Sequence, residues 1–181
     1  MNKLYLVTGP SGVGKTTIAN ELLGLGLMLK RLVTYTTRLP RPNEVNGVDY
    51  NFVSIDEFQQ KKSDNEFFEN AEVYGNFYGN SRKDLEKLWA DGFNALMVLD
   101  IQGVKTIEQI IPEATSIFIK PDSLENLKSR ILRRPMSEDA FKKRWAKVEL
   151  EMAQAHECDF MVTNEEGKLE EAVNTIKRII S

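Results

Sequence analysis

Short apolar runs recur at Leu4 to Val7, Ala95 to Leu99, Ser116 to Ile119 and Phe160 to Val162. Each is partly β-branched, and the stretches between them return apolar residues at helical spacing. Strand-length runs alternating with helices predict a parallel α/β sheet. Helices are expected over Lys15 to Leu23, over Arg82 to Ala90 between an N-cap Ser81 and a terminating Gly92, and over Leu124 to Arg133 behind Ser123. Two more fill the C-terminal third: Glu138 to about His156, capped by Ser137, and Lys168 to Ile180, where Leu169, Ala172, Val173, Ile176, Ile179 and Ile180 form one apolar stripe.

Residues Thr34 to Phe77 break this rhythm. "TTRLPRPNEVNGVDYNFV" mixes Pro, Asn and Gly with strand-like pieces such as "DYNFV", as expected of an inserted lobe of small strands. No internal repeat, low-complexity tract or linker divides the chain. Its 181 residues, 41% of them hydrophobic, are the usual size of one domain with a real core.

Composition narrows the function. The longest apolar runs, such as "ALMVL", fall far short of the roughly 20 residues a bilayer span needs, and no basic segment followed by a cleavable apolar one opens the chain. A soluble, cytoplasmic protein without membrane association is expected. One cysteine, Cys158, and one histidine, His156, exclude an internal disulfide and leave no His/Cys zinc cage. A net charge of -3 argues against a nucleic-acid-coating protein, while local basic clusters can still serve a small phosphorylated ligand.

The first such cluster is "GPSGVGKTT", Gly9, Pro10, Ser11, Gly12, Val13, Gly14, Lys15, Thr16 and Thr17, between the apolar "LYLV" and the helical "IANELL". The spacing GxxxxGK[ST] is met, with strand before and helix after. Glycines turn successive N–H groups inward on a phosphate, and the helix adds the positive end of its dipole. Lys15 would reach the β- and γ-phosphates of a nucleoside triphosphate, and the Thr16 hydroxyl would ligate Mg²⁺. "NALMVLD" ends a neighbouring strand with the acid Asp100, suited to hold the metal through water or to orient an acceptor.

Switch GTPases also carry a DxxG element, matched by "DIQG" at Asp100 to Gly103. They read guanine with NKxD, whereas the Asn-Lys pair of this chain, Asn2-Lys3, is followed by Leu4 and Tyr5. A kinase instead needs a second anionic site. Arg38 and Arg41 in the Pro-stiffened "TTRLPRP" offer bidentate guanidinium forks, with Tyr50 and Tyr78 as hydroxyl donors. Further on, "LKSRILRR" sets Arg130, Arg133 and Arg134 close together, and "PMSED" joins them to a helix carrying Arg144. Two arginine-bearing helices with a short polar joint suit a lid over transferring phosphates.

Together these residues resemble the guanylate kinase family over nearly the whole chain. "TTRLPRPNEVNGVDYNFVS" is similar to that family's TTRxPRPxExxGxDYxFV segment, "FFENAEVYGNFYGNS" to its ExAExxGxxYGTS segment and "LDIQGVKTI" to its DxQG strand end. "RILRRPMSED", Arg144, Glu151 and "DFMVTNEE" follow the lid and C-terminal pattern. The resemblance implies a P-loop NTPase three-layer fold: a parallel-sheet core at 1–33 and 82–181, an inserted β-rich GMP-binding lobe at about 34–81 and a helical lid at about 130–145. It implies Mg-dependent transfer of the ATP γ-phosphoryl group to GMP or dGMP by a monomer or homodimer. Arg38, Arg41, Tyr50 and Tyr78 would hold the GMP phosphate. Glu69 would read guanine, its carboxylate accepting from N1–H and the 2-amino group. Asp100 would serve the acceptor site or a metal-bound water, Asn164 would lie beside the ATP base, and Arg130, Arg134 and Arg144 would be the lid arginines.

The chain departs from that pattern at Thr34, where Ser is common, at Asn80, where Thr or Ser follows "YG", and at Val98, where a carboxylate is usual; the lid is about one residue shorter. Two of these touch the base pocket. A related kinase with another phosphorylated acceptor, or a non-catalytic binding module, are the alternatives they motivate.

Overall fold

The structure is a computed structural model that describes residues 2–73, 75–133 and 135–181. In chain order the elements are β1 (Leu4–Thr8), α1 (Lys15–Gly24), β2 (Leu29–Arg31), β3 (Tyr35–Thr36), β4 (Asn51–Phe52) and α2 (Ile55–Ser63). They continue with β5 (Phe67–Val73), β6 (Asn76–Ser81), α3 (Arg82–Ala90), β7 (Asn94–Val98), α4 (Ile101–Ile110) and β8 (Thr115–Pro121). Then come α5 (Leu124–Leu132), α6 (Glu138–Ala153), a 3-10 turn (Ala155–Glu157), β9 (Phe160–Asn164) and α7 (Leu169–Ile180). The chain divides into two compact units, residues 1–3 with 28–97 and residues 4–27 with 98–181.

In the second unit β1, β8 and β9 run parallel in that order, with Tyr5 opposite Thr115 and Ile117 opposite Phe160. All five residues of β1 are buried. A parallel strand covered on both faces needs no polar alternation, which is why "LYLVT" reads as one apolar run. Helices follow the strands: α1 buries Ile18, Ala19 and Leu22, and α4 buries Ile101, Val104 and Ile107. These spacings put each set on one face. Leu6, Ile117, Phe118 and Ile119 are fully enclosed.

In the first unit β2 and β7 pair in parallel, and a separate four-stranded sheet has the order β4-β3-β6-β5. Its pairing is mixed, β3 parallel to β4 and antiparallel to β6, with β5 antiparallel to β6. Phe58 of α2 fills the space behind this sheet, its ring 4.7 Å from that of Phe67 and 5.5 Å from that of Phe77.

The expected α/β class with parallel strands and an inserted small-strand region is therefore what the chain builds. N-caps place most helix starts: Ser54, Ser81, Asp100, Ser123 and Ser137 each accept from the N–H three residues on. Helix α6 stops at Ala153, short of the expected His156, because the 3-10 turn takes over. Helices α2 and α4 were not expected. The first buries only Phe58, too little for a visible stripe, and the second starts inside "DIQG", which reads locally as a turn.

Candidate active site

The loop between β1 and α1 is shaped by backbone that only glycine takes comfortably. Gly9 has φ 137°, and a Cβ there would lie 2.2 Å from the Ile119 carbonyl oxygen. Gly14 has φ 100°, and a Cβ there would meet the Asn164 amide nitrogen at 2.6 Å. Asn164, the last residue of β9, is buried and donates to the Val13 carbonyl at 2.7 Å. The residue expected beside the ATP base is thus built into the support of the loop itself. Lys15 opens α1 and folds back, its Nζ donating to the carbonyls of Gly9 and Pro10 at 2.5 and 3.1 Å. These bonds park the ammonium on neutral acceptors that an incoming phosphate can replace.

Asp100, Lys147 and Glu151 form an ionic cluster that acts electrostatically on Lys15. Asp100 caps α4, one carboxylate oxygen accepting the Gly103 N–H and the other Lys147 Nζ, both at 3.0 Å. Lys147 Nζ also stands 3.8 Å from the Glu151 carboxylate, whose side chain is only 7% exposed. Burial pushes the Lys15 ammonium below its ordinary value, against the opposing field of Glu151. Burial also pushes Asp100 up, but the bonds from Gly103 and Lys147 outweigh it and hold the carboxyl below its ordinary value. Glu151 is raised by burial, with Lys15 and Lys147 resisting.

Arg130 is engaged at this end too. Its Nε donates to Glu166 at 2.6 Å, its terminal nitrogens reach the Asn164 carbonyl at 3.3 and 3.4 Å, and Asp122 lies 3.7 Å away. Arg144 lies on α6, three residues before Lys147 and seven before Glu151, hence on one helical face with them. Arg134 lies outside the described residues.

Apart from Asp100, the residues expected at the acceptor site collect in the first unit. Arg38 pairs with both oxygens of Glu44, at 2.9 and 3.0 Å, and donates to the Leu39 carbonyl at 2.7 Å. Its guanidinium carbon lies 5.2 Å from the Tyr50 ring centre, and the Tyr50 and Tyr78 rings meet edge-on at 6.1 Å. Glu44 also accepts the Arg41 backbone N–H at 2.8 Å, while the Arg41 side chain is exposed. The bond from Arg38 holds Glu44 below the ordinary carboxylate range. Nearby, the Asn80 amide nitrogen donates to Glu69 at 2.7 Å and Thr34 Oγ1 lies 2.8 Å from the Asn80 amide oxygen. The structure thus joins Thr34, Asn80 and Glu69 by hydrogen bonds and gathers Arg38, Tyr50 and Tyr78 through ring contacts.

Sequence reasoning missed Glu44, Lys147 and a role for Glu151. The signals were the acid three residues after Arg41 and the helical spacing of Arg144, Lys147 and Glu151.

Among the described residues no group of three or more His, Cys, Asp or Glu could hold a metal ion. Mg²⁺ brought by phosphates keeps several waters and takes one or two protein oxygens. The exposed Thr16 in the first turn of α1 is a hard oxygen donor of that kind.

A glycine loop between a buried parallel strand and a helix, with a lysine at the helix start, defines a P-loop protein of the phosphate-transferring class. The sequence pattern of the guanylate kinase family matches residues 1–181, and the chain belongs to that family. The guanylate kinase of Nitrosospira multiformis is 39% identical over 178 residues, covering 98% of this chain and 84% of the relative. That of Nitrosomonas europaea is 39% identical over 181 residues, covering 99% and 89%. The crystal structure of guanylate kinase from Anaplasma phagocytophilum superposes with a TM-score of 0.77 at 31% identity, covering 99% of this chain and 84% of that one. No helix among the described residues is long and apolar enough to cross a membrane.

Proposed function

We propose that this protein is an ATP:GMP phosphotransferase, moving the ATP γ-phosphoryl group to a phosphate oxygen of GMP or dGMP to give ADP and GDP. The observation that carries the reading is that one chain holds two separate sets of cationic and donor groups. One is the P-loop with Lys15; the other is Arg38, Tyr50 and Tyr78 beside a carboxylate, Glu69, that is held by Asn80.

The acceptor oxygen is already anionic near neutral pH, so no general base is required. Catalysis reduces to bringing two polyanions in line and neutralising their charge. Lys15 leaves the Gly9 and Pro10 carbonyls for the β- and γ-phosphates, which the loop from Gly9 to Thr17 cradles with the backbone N–H groups of its residues other than Pro10. Asn164 keeps that loop in shape and borders the ATP site. Mg²⁺, held by Thr16 and the phosphates, would supply further charge neutralisation when bound. Arg130, Arg134 and Arg144 belong to a lid at 130–145 and bear transition-state charge; Arg130 gives up its Glu166 contact to do so.

On the acceptor side, Arg38, Arg41, Tyr50 and Tyr78 hold the GMP phosphate within a lobe at 34–81. Glu69 accepts from N1–H and the 2-amino group, and adenine, with a lone pair at N1, is repelled. The second hydrogen of the Asn80 amide serves guanine O6, and Thr34 orients that amide. Asp100 serves the acceptor or a metal-bound water. An enzyme of free nucleotides, acting in purine nucleotide metabolism as a cytoplasmic monomer or homodimer, follows from this reading.

The departures at Thr34 and Asn80 keep hydrogen-bonding groups, which supports guanine over another acceptor. An intact Lys15 and Thr16 speak against a non-catalytic binding module. Following ATP and GMP by phosphorus NMR tests the reaction: growth of GDP and ADP signals together, reversed from ADP plus GDP, is expected. ADP without GDP would mean that the γ-phosphate goes elsewhere.

A further inference from the structure

Two residues of α6 stand in the P-loop cluster with no assigned task. Lys147 and Glu151 are one helical turn apart, so their side chains share a face. Lys147 joins them to Asp100, 47 residues away in sequence, through a 3.0 Å charge-assisted bond. The cluster therefore holds two ammonium groups, Lys15 and Lys147, and two carboxylates, Asp100 and Glu151. Both carboxylates also act electrostatically on Lys15.

Exposure separates the members. Lys147 and Asp100 are 48% and 39% exposed, and an ion pair so wet contributes little to folding. Glu151 is nearly enclosed, so water cannot substitute for a missing cation there. If Lys147 were absent, two carboxylates would face Lys15 alone. The buried Glu151 would then compete with a nucleotide phosphate for the one ammonium left.

We propose that Lys147 is a positioning residue for ATP binding: it occupies the Asp100 and Glu151 carboxylates and so leaves Lys15 available to the triphosphate. It acts through Lys15 and touches no reacting atom. The inference rests on the reading of the loop as the ATP site. It also assigns Glu151 a defined place, as the group whose charge Lys147 must offset.

The test is the affinity of the whole protein for Mg-ATP, by titration calorimetry, with GMP turnover measured alongside. Lys147→Met should weaken ATP binding about tenfold, the factor that roughly one pairwise charge interaction gives. Lys147→Arg should stay within about twofold of the parent because the charge persists. The double variant Lys147→Met, Glu151→Gln should recover to within about threefold, since the competing carboxylate is gone. A merely structural Lys147 would not be rescued by a second change in the same cluster. Parent-like ATP binding by Lys147→Met, or a double variant no tighter than the single one, would overturn the inference alone. Failure of the parent protein to bind ATP would overturn the loop reading and this inference with it.

Discussion

The Asn80 amide nitrogen donates to a Glu69 carboxylate oxygen at 2.7 Å, and this one bond sets the polarity of the chain that joins Glu69, Asn80 and Thr34. A carboxylate only accepts, so the amide nitrogen faces Glu69 and the amide oxygen faces Thr34, whose hydroxyl must then donate. Asn80 is 5% exposed, between the half-buried Glu69 and Thr34.

Replacing Glu69 by Gln puts an amide hydrogen where guanine offers its own. The variant is expected to raise the KM for GMP by at least about tenfold and to narrow the GMP-over-AMP preference, the size expected when a polar reader is left mismatched. Steady-state rates with both acceptors check it. An unchanged preference would remove Glu69 as the base reader.

Lys15→Ala removes the ammonium now resting on the Gly9 and Pro10 carbonyls. Turnover should fall by about two to three orders of magnitude, the range for losing a preorganised transition-state charge. GMP binding should survive, because Lys15 is not among its proposed ligands. Calorimetric GMP titration of the inactive variant separates the two effects.

Gly9→Ala combines a φ of 137° with a Cβ placed 2.2 Å from the Ile119 oxygen, a backbone atom that cannot step aside. A loss of about 3 kcal/mol in unfolding free energy is expected, from strain and overpacking together. Gly26, also at positive φ but with nothing within 4 Å of an added Cβ, should lose less on the same change. Urea unfolding of both variants measures the difference.

The Arg38–Glu44 pair predicts a pH dependence. Glu44 titrates below its ordinary 4.5 because Arg38 bonds it. A depressed carboxyl contributes stability that is fully present above 4.5 and is lost as pH falls through the folded value. The stability gap between the parent and Glu44→Gln should therefore be flat from neutral pH down to the ordinary value of 4.5 and close as the pH falls further, through the folded value. A gap that widens on acidification would contradict the pairing.

The P-loop was readable because its chemistry is local: Gly9, Gly14 and Lys15 are fixed by backbone geometry within a few residues. The buried strand β1 announced itself for a similar reason, both faces being covered. The small sheet of the first unit was legible as strands but not in its pairing, since two-residue strands such as Tyr35–Thr36 and Asn51–Phe52 carry no period. The bond from Lys147 to Asp100 spans 47 residues and depends on where α6 is packed, which no local pattern encodes. Glu44 was the nearer miss, six residues from Arg38, hidden by a turn whose side-chain directions composition does not reveal.

The central claim is tested most directly by the initial rate of ADP formation from Mg-ATP with GMP, dGMP, AMP, CMP, UMP and ribose phosphates offered separately. Turnover confined to GMP and dGMP is expected. Turnover with another acceptor alone, or with none, would contradict the account.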